Sequence, residues 1–213
     1  MSFQSMWFHT ELPREIVDIL DRELSGNDGF NDTLLPSQVG GDESGQVHEK
    51  VRNSKNSWIP TSHWISGFIW NYVQLANKFN FLYDLTGVDG ESLQYTVYNE
   101  GEYYNWHIDA GISSYYKPMS ETNRVDPAIV VNDYINQNIE SIRKLSFSLQ
   151  LSDSDEYEGG QFQLMDENGK SYFAPKKKGV LIVFDSRAPH RVRKVTKGVR
   201  KSIVGWSVGP RWR

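Results

Sequence analysis

The segment Leu145 to Leu151 alternates without a break: Leu145, Phe147, Leu149 and Leu151 fall on one face, Ser146, Ser148 and Gln150 on the other. A two-residue period belongs to a β-strand, whose successive side chains project to opposite sides. It commits this part of the chain to a layered sheet with one apolar and one polar face. The flanking sequence follows the same grammar. Leu93 to Tyr98 is rich in strand formers. Gln161 to Met165 and Ser171 to Ala174 read as strands joined through Asn168-Gly169, a strong hairpin signal, after a turn at Glu158-Gly159-Gly160. Val180 to Phe184 is a continuous apolar run suited to a strand covered on both faces. His190 to Val195 and Val199 to Val208 complete the set, with Lys197-Gly198 as the turn between them.

Residues 1–90 read differently. Ile16, Val17, Ile19, Leu20 and Leu24 fall near helical spacing, which predicts a helix over Pro13 to Leu24, with Pro13 in its first turn and Gly26-Asn27 as its stop. Ile65, Phe68, Ile69, Tyr72, Val73, Ala76 and Phe79 form a wide apolar stripe and predict a second helix over Trp64 to Phe79. The polar stretch Asn27 to Asn56 reads as a surface loop with one strand around Gln46 to Val51. Helices followed by short antiparallel strands predict an α+β fold: a double-stranded β-helix (jelly roll) with the N-terminal helices packed on one sheet. One domain is expected over residues 1–213, with a helical N-terminal support (1–90), a jelly-roll core (91–213) and an insertion at 111–143. Within the insertion only Ala128 to Ile142 has helical character, and excursions of this length are often lids or binding loops.

Composition removes several chemistries. The chain has no cysteine, which excludes disulfides, thiolate metal sites and cysteine nucleophiles. A net charge of -4 provides no global attraction to nucleic acid or an anionic membrane. The basic residues thicken in Lys176-Lys177-Lys178 and from Arg187 to Arg213, and read as solvated loop and strand faces. No apolar run is long enough to span a bilayer, and Met1 to Ser5 lacks the regions of a signal peptide, so a cytoplasmic location is expected.

His107-Ile108-Asp109 places an imidazole and a carboxylate two residues apart, on one face of a strand. His190 follows Ala188-Pro189 much later. Two imidazoles and one carboxylate can hold one face of an iron(II) ion and leave the opposite face open for oxygen chemistry. Taken alone, the triplet is short, and His190 reads as an ordinary strand-end histidine. Arg200 adds to the pattern. By alternation it shares a face with Ser202, Val204, Trp206 and Val208. If that face lines the interior, Arg200 is nearly buried, which is costly for a guanidinium without a partner. Its strand offers no acid. A bound dicarboxylate would supply one through a two-pronged contact, with Ser202 adding a hydroxyl. Asp185 reads as a turn cap, His63 as stabilising the start of the second helix, and Gly159-Gly160 as turn geometry. Nothing around His9 or His48 suggests a site.

These residues carry a resemblance. Tyr98-Asn99-Glu100-Gly101-Glu102-Tyr103-Tyr104-Asn105-Trp106-His107-Ile108-Asp109, Tyr157-Glu158-Gly159-Gly160, His190-Arg191-Val192, Val195 to Arg200 and Gly205 to Pro210 resemble the iron(II)- and 2-oxoglutarate-dependent dioxygenases. The similarity is greatest to the prolyl 4-hydroxylase-like branch, which includes the bacterial PKHD-type hydroxylases, and it runs from Leu93 to Arg213. The resemblance implies that His107, Asp109 and His190 bind iron and that Arg200 binds the distal carboxylate of 2-oxoglutarate. Tyr98 occupies the position of a tyrosine that reaches the co-substrate pocket in relatives; it also suits a core strand aromatic. Gln150 points to the same interior, and Ser202 is a supporting member. The implied reaction uses O2, releases succinate and carbon dioxide and hydroxylates a C–H bond, with ascorbate keeping the iron reduced.

By family analogy the substrate is a prolyl or other residue of a peptide or protein. A small-molecule substrate, an oxygenase acting on nucleic acid and a non-catalytic jelly-roll binding module are the alternatives, and the oligomeric state is open. A binding module needs neither the metal triad nor Arg200. Trp64, Trp106, Tyr115 and Tyr116 are candidates for lining a cleft, and they suit a core or surface equally.

Overall fold

A computed structural model describes residues 6–26, 29–38, 50–110 and 142–210. The N-terminal part supplies β1 (Trp7–Glu11), α1 (Arg14–Ser25), β2 (Leu35–Pro36), β3 (Arg52–Asn53), β4 (Lys55–Pro60) and α2 (Trp64–Ala76). It is followed by β5 (Gly87–Val88), β6 (Ser92–Tyr98), β7 (Tyr103–His107), β8 (Ile142–Gln150), β9 (Tyr157–Gly159) and β10 (Phe162–Met165). The chain ends with β11 (Ser171–Phe173), β12 (Val180–Asp185), β13 (His190–Val192), β14 (Val195–Gly198) and β15 (Arg200–Gly209).

The larger sheet runs β1-β12-β8-β15-β6-β4-β2, with β5 added on β15; the smaller runs β11-β10-β13-β7-β3; β9 and β14 form a separate pair. Every pairing is antiparallel. The period-2 pattern splits the larger sheet into two environments. Its outer face carries Leu93, Tyr95, Leu145, Phe147, Leu149, Leu181, Val183 and Ile203, which pack against the helices in one apolar cluster. Its inner face turns Tyr98, Ile182 and Phe184 towards Phe162, Leu164 and Val192 of the smaller sheet. This is the expected jelly roll with helices on one sheet.

Each helix is held by its buried stripe. α2 buries Ile65, Ile69 and Val73 completely, each side chain worth roughly 1.5–3 kcal/mol of burial. His63 caps it, its Nδ1 accepting from the Ile65 N–H at 3.3 Å. α1 starts directly after Pro13 and ends before Gly26. It is tied to the sheet by Lys178, whose Nζ lies 2.8 Å from Asp18 and 3.1 Å from Asp21.

Several sequence expectations need correcting. Residues 1–90 are more than a helical support, because β1 and β4 are strands of the larger sheet. β4 falls partly in the stretch expected to be a surface loop. Its Asn56 and Ser57 are buried between β2 and β6, so polarity there marks a polar interior and not exposure. The strand expected around Gln46 to Val51 falls largely outside the described residues, and the described strand begins at Arg52. The stretch from His190 to Val195 is split between β13 and β14. Lys197-Gly198 belongs to β14, and the reversal into β15 uses Gly198 at φ 75°. The expected lid at 111–143, with Tyr115 and Tyr116, lies outside the described residues apart from Ile142 and Arg143, which open β8.

Candidate metal centre

β7 and β13 are neighbours, and their register makes His107 and His190 direct cross-strand partners. Their rings lie 4.0 Å apart between centroids. Asp109 sits two residues beyond β7, where its backbone N–H donates to the Ser186 carbonyl at 2.9 Å. One ligand atom from each of His107, Asp109 and His190 lies within 4.8 Å of the other two. Asp109 Oδ2 is 3.3 Å from His190 Nε2, and Oδ1 is 3.7 Å from His107 Nε2.

The hydrogen bonds behind the ligand atoms fix their chemistry. His107 Nδ1 lies 2.8 Å from the Asn105 carbonyl, and His190 Nδ1 lies 3.0 Å from the Ala188 carbonyl. A carbonyl only accepts, so each Nδ1 carries a proton, which leaves Nε2 as the ring atom turned to the shared point. Burial and the neighbouring His190 push the His107 imidazole down to about 4, so it is neutral near pH 7. Burial pushes Asp109 up, but the two histidines, Arg143 and the Ser146 hydroxyl outweigh it and hold the group below its ordinary carboxylate value. Ser146 Oγ, on β8 of the opposite sheet, donates to Asp109 Oδ2 at 2.6 Å. Two imidazoles that turn Nε2 towards a shared carboxylate suit a divalent iron ion.

Arg200 lies on the inner face of β15 opposite Tyr98 of β6. It is only 2% exposed. Its Nη1 donates to Ser202 Oγ at 3.2 Å, its Cζ lies 5.4 Å from the Tyr98 ring centroid, and its buried Nε has no hydrogen-bond partner among the described residues. Ser202 pairs with Thr96 on one side and Gln150 on the other. Gln150 Nε2 donates to the Tyr157 hydroxyl at 2.9 Å, and that hydroxyl also interacts with Arg200. Tyr98, Gln150 and Ser202 are therefore gathered around Arg200. An almost fully buried guanidinium with an unsatisfied N–H and no carboxylate among the described residues suits a carboxylate ligand.

Other candidates go elsewhere. Trp64 donates to Glu23 at 2.9 Å on the helical side of the larger sheet. Trp106 stacks with the Arg191 guanidinium, 4.7 Å from its ring centroid. By alternation with His190, Arg191 faces outward, so Trp106 lies on the outer face. Asp185 accepts from the Arg187 N–H at 2.9 Å and from the Tyr83 hydroxyl at 2.8 Å, and so closes its own turn.

Tyr104 entered the sequence pattern only as part of the run leading to His107, with no role of its own, and Arg52 was not singled out. The Tyr104 ring stacks on His107 with centroids 3.5 Å apart and planes 15° from parallel. The Arg52 guanidinium lies 4.8 Å from the Tyr104 centroid. A tyrosine three residues before a candidate ligand was a visible signal; the polar strand carrying Arg52 offered none.

The model of the 2OG-Fe(II) oxygenase superfamily matches residues 93–208. A PKHD-type hydroxylase of Synechococcus sp. (strain CC9311) is 42% identical over 62 residues, 29% of this chain and 28% of that protein. The aligned stretches span 28% to 42% of the length of the curated relatives. A prolyl-4-hydroxylase of Pseudomonas putida shares the fold at TM-score 0.67 and 19% identity, over 97% of this chain and 94% of that one. So does a prolyl hydroxylase of Trichoplax adhaerens, solved with a peptide fragment of the hypoxia inducible factor oxygen degradation domain: TM-score 0.66, 18% identity, 96% and 84% coverage.

Proposed function

The chain belongs to the 2OG-Fe(II) oxygenase superfamily, and from that premise we propose that it is a hydroxylase acting on a C–H bond of a peptide or protein, with a prolyl residue as the first candidate. The observation that carries this reading is the convergence of His107, Asp109 and His190 in one jelly roll with the carboxylate-free Arg200. When bound, iron(II) and 2-oxoglutarate supply the activation of O2, in which the oxo acid becomes succinate and carbon dioxide and one oxygen atom enters the substrate.

The chain's own residues would do four things. His107 Nε2, His190 Nε2 and a carboxylate oxygen of Asp109 hold the metal on one face, and the carbonyls of Asn105 and Ala188 keep both imidazoles in the ligating tautomer. Ser146 orients Asp109. Arg200 anchors the distal carboxylate of the oxo acid, assisted by Ser202, with Tyr98 and Gln150 closing the pocket. The apolar inner residues Phe162, Phe184 and Val192 keep bulk water from this part of the interior.

Peptide substrates are supported by the fold shared with a prolyl hydroxylase solved with a peptide. Among the described residues no helix is long and apolar enough to cross a membrane. The test is incubation with iron(II), 2-oxoglutarate and a peptide library. The reading expects succinate formation together with a mass gain of one oxygen on a peptide. Succinate without any oxidised peptide would redirect the search to small molecules, and neither product would reject the enzyme.

A further inference from the structure

Three cations stand together on the outer face of the smaller sheet. β13 turns His190 and Val192 inward, so Arg191 and, just past the strand, Arg193 face outward, and Lys194 follows. With Tyr103, Asn105 and Val192 they line one groove of about 390 Å³. That volume lies at the lower end of the range for ligand clefts. Arg193 and Lys194 are exposed.

None of the three forms an ion pair among the described residues. Arg191 Nε donates to Gln163 Oε1 at 2.8 Å, and its guanidinium lies 4.7 Å from the Trp106 centroid. Arg193 Cζ lies 6.0 Å from the ring centroid of Phe173, on β11. Lys194 passes close to Gly101 but pairs with neither Glu100 nor Glu102 of that turn. Glu102 accepts the Asn99 N–H at 2.8 Å, and Glu158 of β9 lies 3.4 Å from Lys197. Elsewhere the chain pairs even exposed cations: Arg14 with Asp153, and Lys177 with Glu11. Unpaired positive charge gathered in a groove, on a chain of net charge -4, suits an anionic partner.

The geometry separates two kinds of anion. Single-stranded nucleic acid needs aromatic rings free to stack on bases. Here Arg191 already covers one face of Trp106, and Arg193 lies over Phe173. The negative net charge adds no long-range attraction to a nucleic acid. An extended polypeptide fits better. Arg191 and Arg193 are two residues apart on one face, roughly 7 Å along the chain, which is the repeat of same-side positions in an extended strand. Carboxylates at alternate positions of such a segment meet the two guanidinium groups in register, with Lys194 beside them as a further point charge.

We propose that Arg191, Arg193 and Lys194 form a docking groove for an acidic segment of a partner polypeptide, one that carries aspartate or glutamate at alternate positions. The groove lies on the sheet face away from the triad. Its occupant is therefore held outside the interior, and the inference stands whether or not the hydroxylase reading does. The contacts are exposed and screened, so binding should weaken as salt is added.

The test uses the whole chain as purified and fluorescence anisotropy of three labelled probes. They are a hexapeptide of alternating glutamate and glycine, its glutamine counterpart and a short single-stranded oligothymidylate. The acidic peptide should bind roughly ten-fold tighter than the glutamine peptide, as two or three exposed ion pairs imply. The double substitution Arg193→Gln with Lys194→Gln should remove most of that preference. Both side chains are exposed, so the variant keeps the fold, which circular dichroism checks. Lys78→Gln removes the same kind of charge from the helical layer and should leave binding unchanged. Equal affinity for the two peptides, no binding of the acidic one, or a preference that survives the double substitution would overturn the groove. Equal weakening by Lys78→Gln would reduce it to general charge attraction, and tighter binding of the oligothymidylate through Arg193 and Lys194 would assign it to nucleic acid instead; either result rejects the proposal.

Discussion

Ser146 Oγ reaches from the larger sheet to Asp109 Oδ2 at 2.6 Å, so the candidate carboxylate ligand is oriented by the sheet opposite the one that carries the two histidines. Ser146 also lies 2.9 Å from Ser186 Oγ, which fixes the hydroxyl from behind. Removing an outer partner of a ligating carboxylate typically weakens metal binding by roughly 10–100-fold. Ser146→Ala is expected to do so while leaving the fold and the 2-oxoglutarate contacts in place. An anaerobic iron(II) titration checks this, and unchanged iron affinity would remove Ser146 from the site.

His107→Ala and His190→Ala are each expected to abolish iron-dependent 2-oxoglutarate turnover with little change in far-UV circular dichroism. Each removes one of three donors and leaves the apolar clusters untouched. Turnover that persists in either purified variant would refute that residue as a ligand.

Arg200→Ala separates the co-substrate from the metal. Losing one member of a buried, hydrogen-bonded charge pair costs on the order of 2–5 kcal/mol, so 2-oxoglutarate affinity should fall by roughly 30-fold or more. Iron affinity measured without 2-oxoglutarate should barely move. Calorimetric titrations of the two ligands decide it: equal weakening of both would point to general unfolding, and no weakening of 2-oxoglutarate would reject the anchor.

Much of this site was legible because strands have a fixed period. Arg200 with Ser202 on one face needed only alternation to be grouped, whereas Asp109 lies in a bend beyond the end of β7, so its grouping with His107 does not rest on strand alternation. The pairing of β13 with β7, which makes His190 the partner of His107, is a long-range register that no local pattern carries. Arg52 was invisible for a related reason. It sits on the two-residue strand β3, flanked by polar residues, and only its pairing opposite Tyr104 turns it inward. β4 was lost because Asn56 and Ser57 look like loop residues, although the sheet buries them. Trp64 and Trp106 were ambiguous in sequence, since an aromatic side chain says nothing of which sheet face it takes.

Gly205 makes room on the outer face of the larger sheet for side chains of the neighbouring strands β8 and β6. A Cβ there would collide with the Phe147 ring and with Leu93 Cδ2. Gly205→Ala is expected to destabilise the protein by about 1–3 kcal/mol, the usual cost of overpacking a filled core. Chemical denaturation measures it, and a variant as stable as the wild type would show that the Phe147 ring yields freely.

Asp185 sets a pH dependence away from the metal. Burial pushes its carboxyl up, but hydrogen bonds from Arg187 and Tyr83 outweigh burial and hold it below its ordinary value of 3.8. A folded-state value below the unfolded one gives stability that is fully present above the unfolded value and is lost as pH falls through the folded value. Asp185→Asn should therefore lower the thermal midpoint at pH 7 and lose less than the wild type on acidification below pH 4. Parallel midpoint-against-pH curves for the two proteins would contradict this.

In the proposed site His107, Asp109 and His190 hold one iron(II) ion while Arg200 anchors 2-oxoglutarate beside it. The most direct measurement is a crystal structure grown anaerobically with both ligands. Anomalous iron density is expected on His107 Nε2, His190 Nε2 and an Asp109 oxygen, with the distal carboxylate of 2-oxoglutarate on the Arg200 guanidinium. Iron at other side chains, or a 2-oxoglutarate carboxylate that leaves Arg200 unpaired, would contradict it.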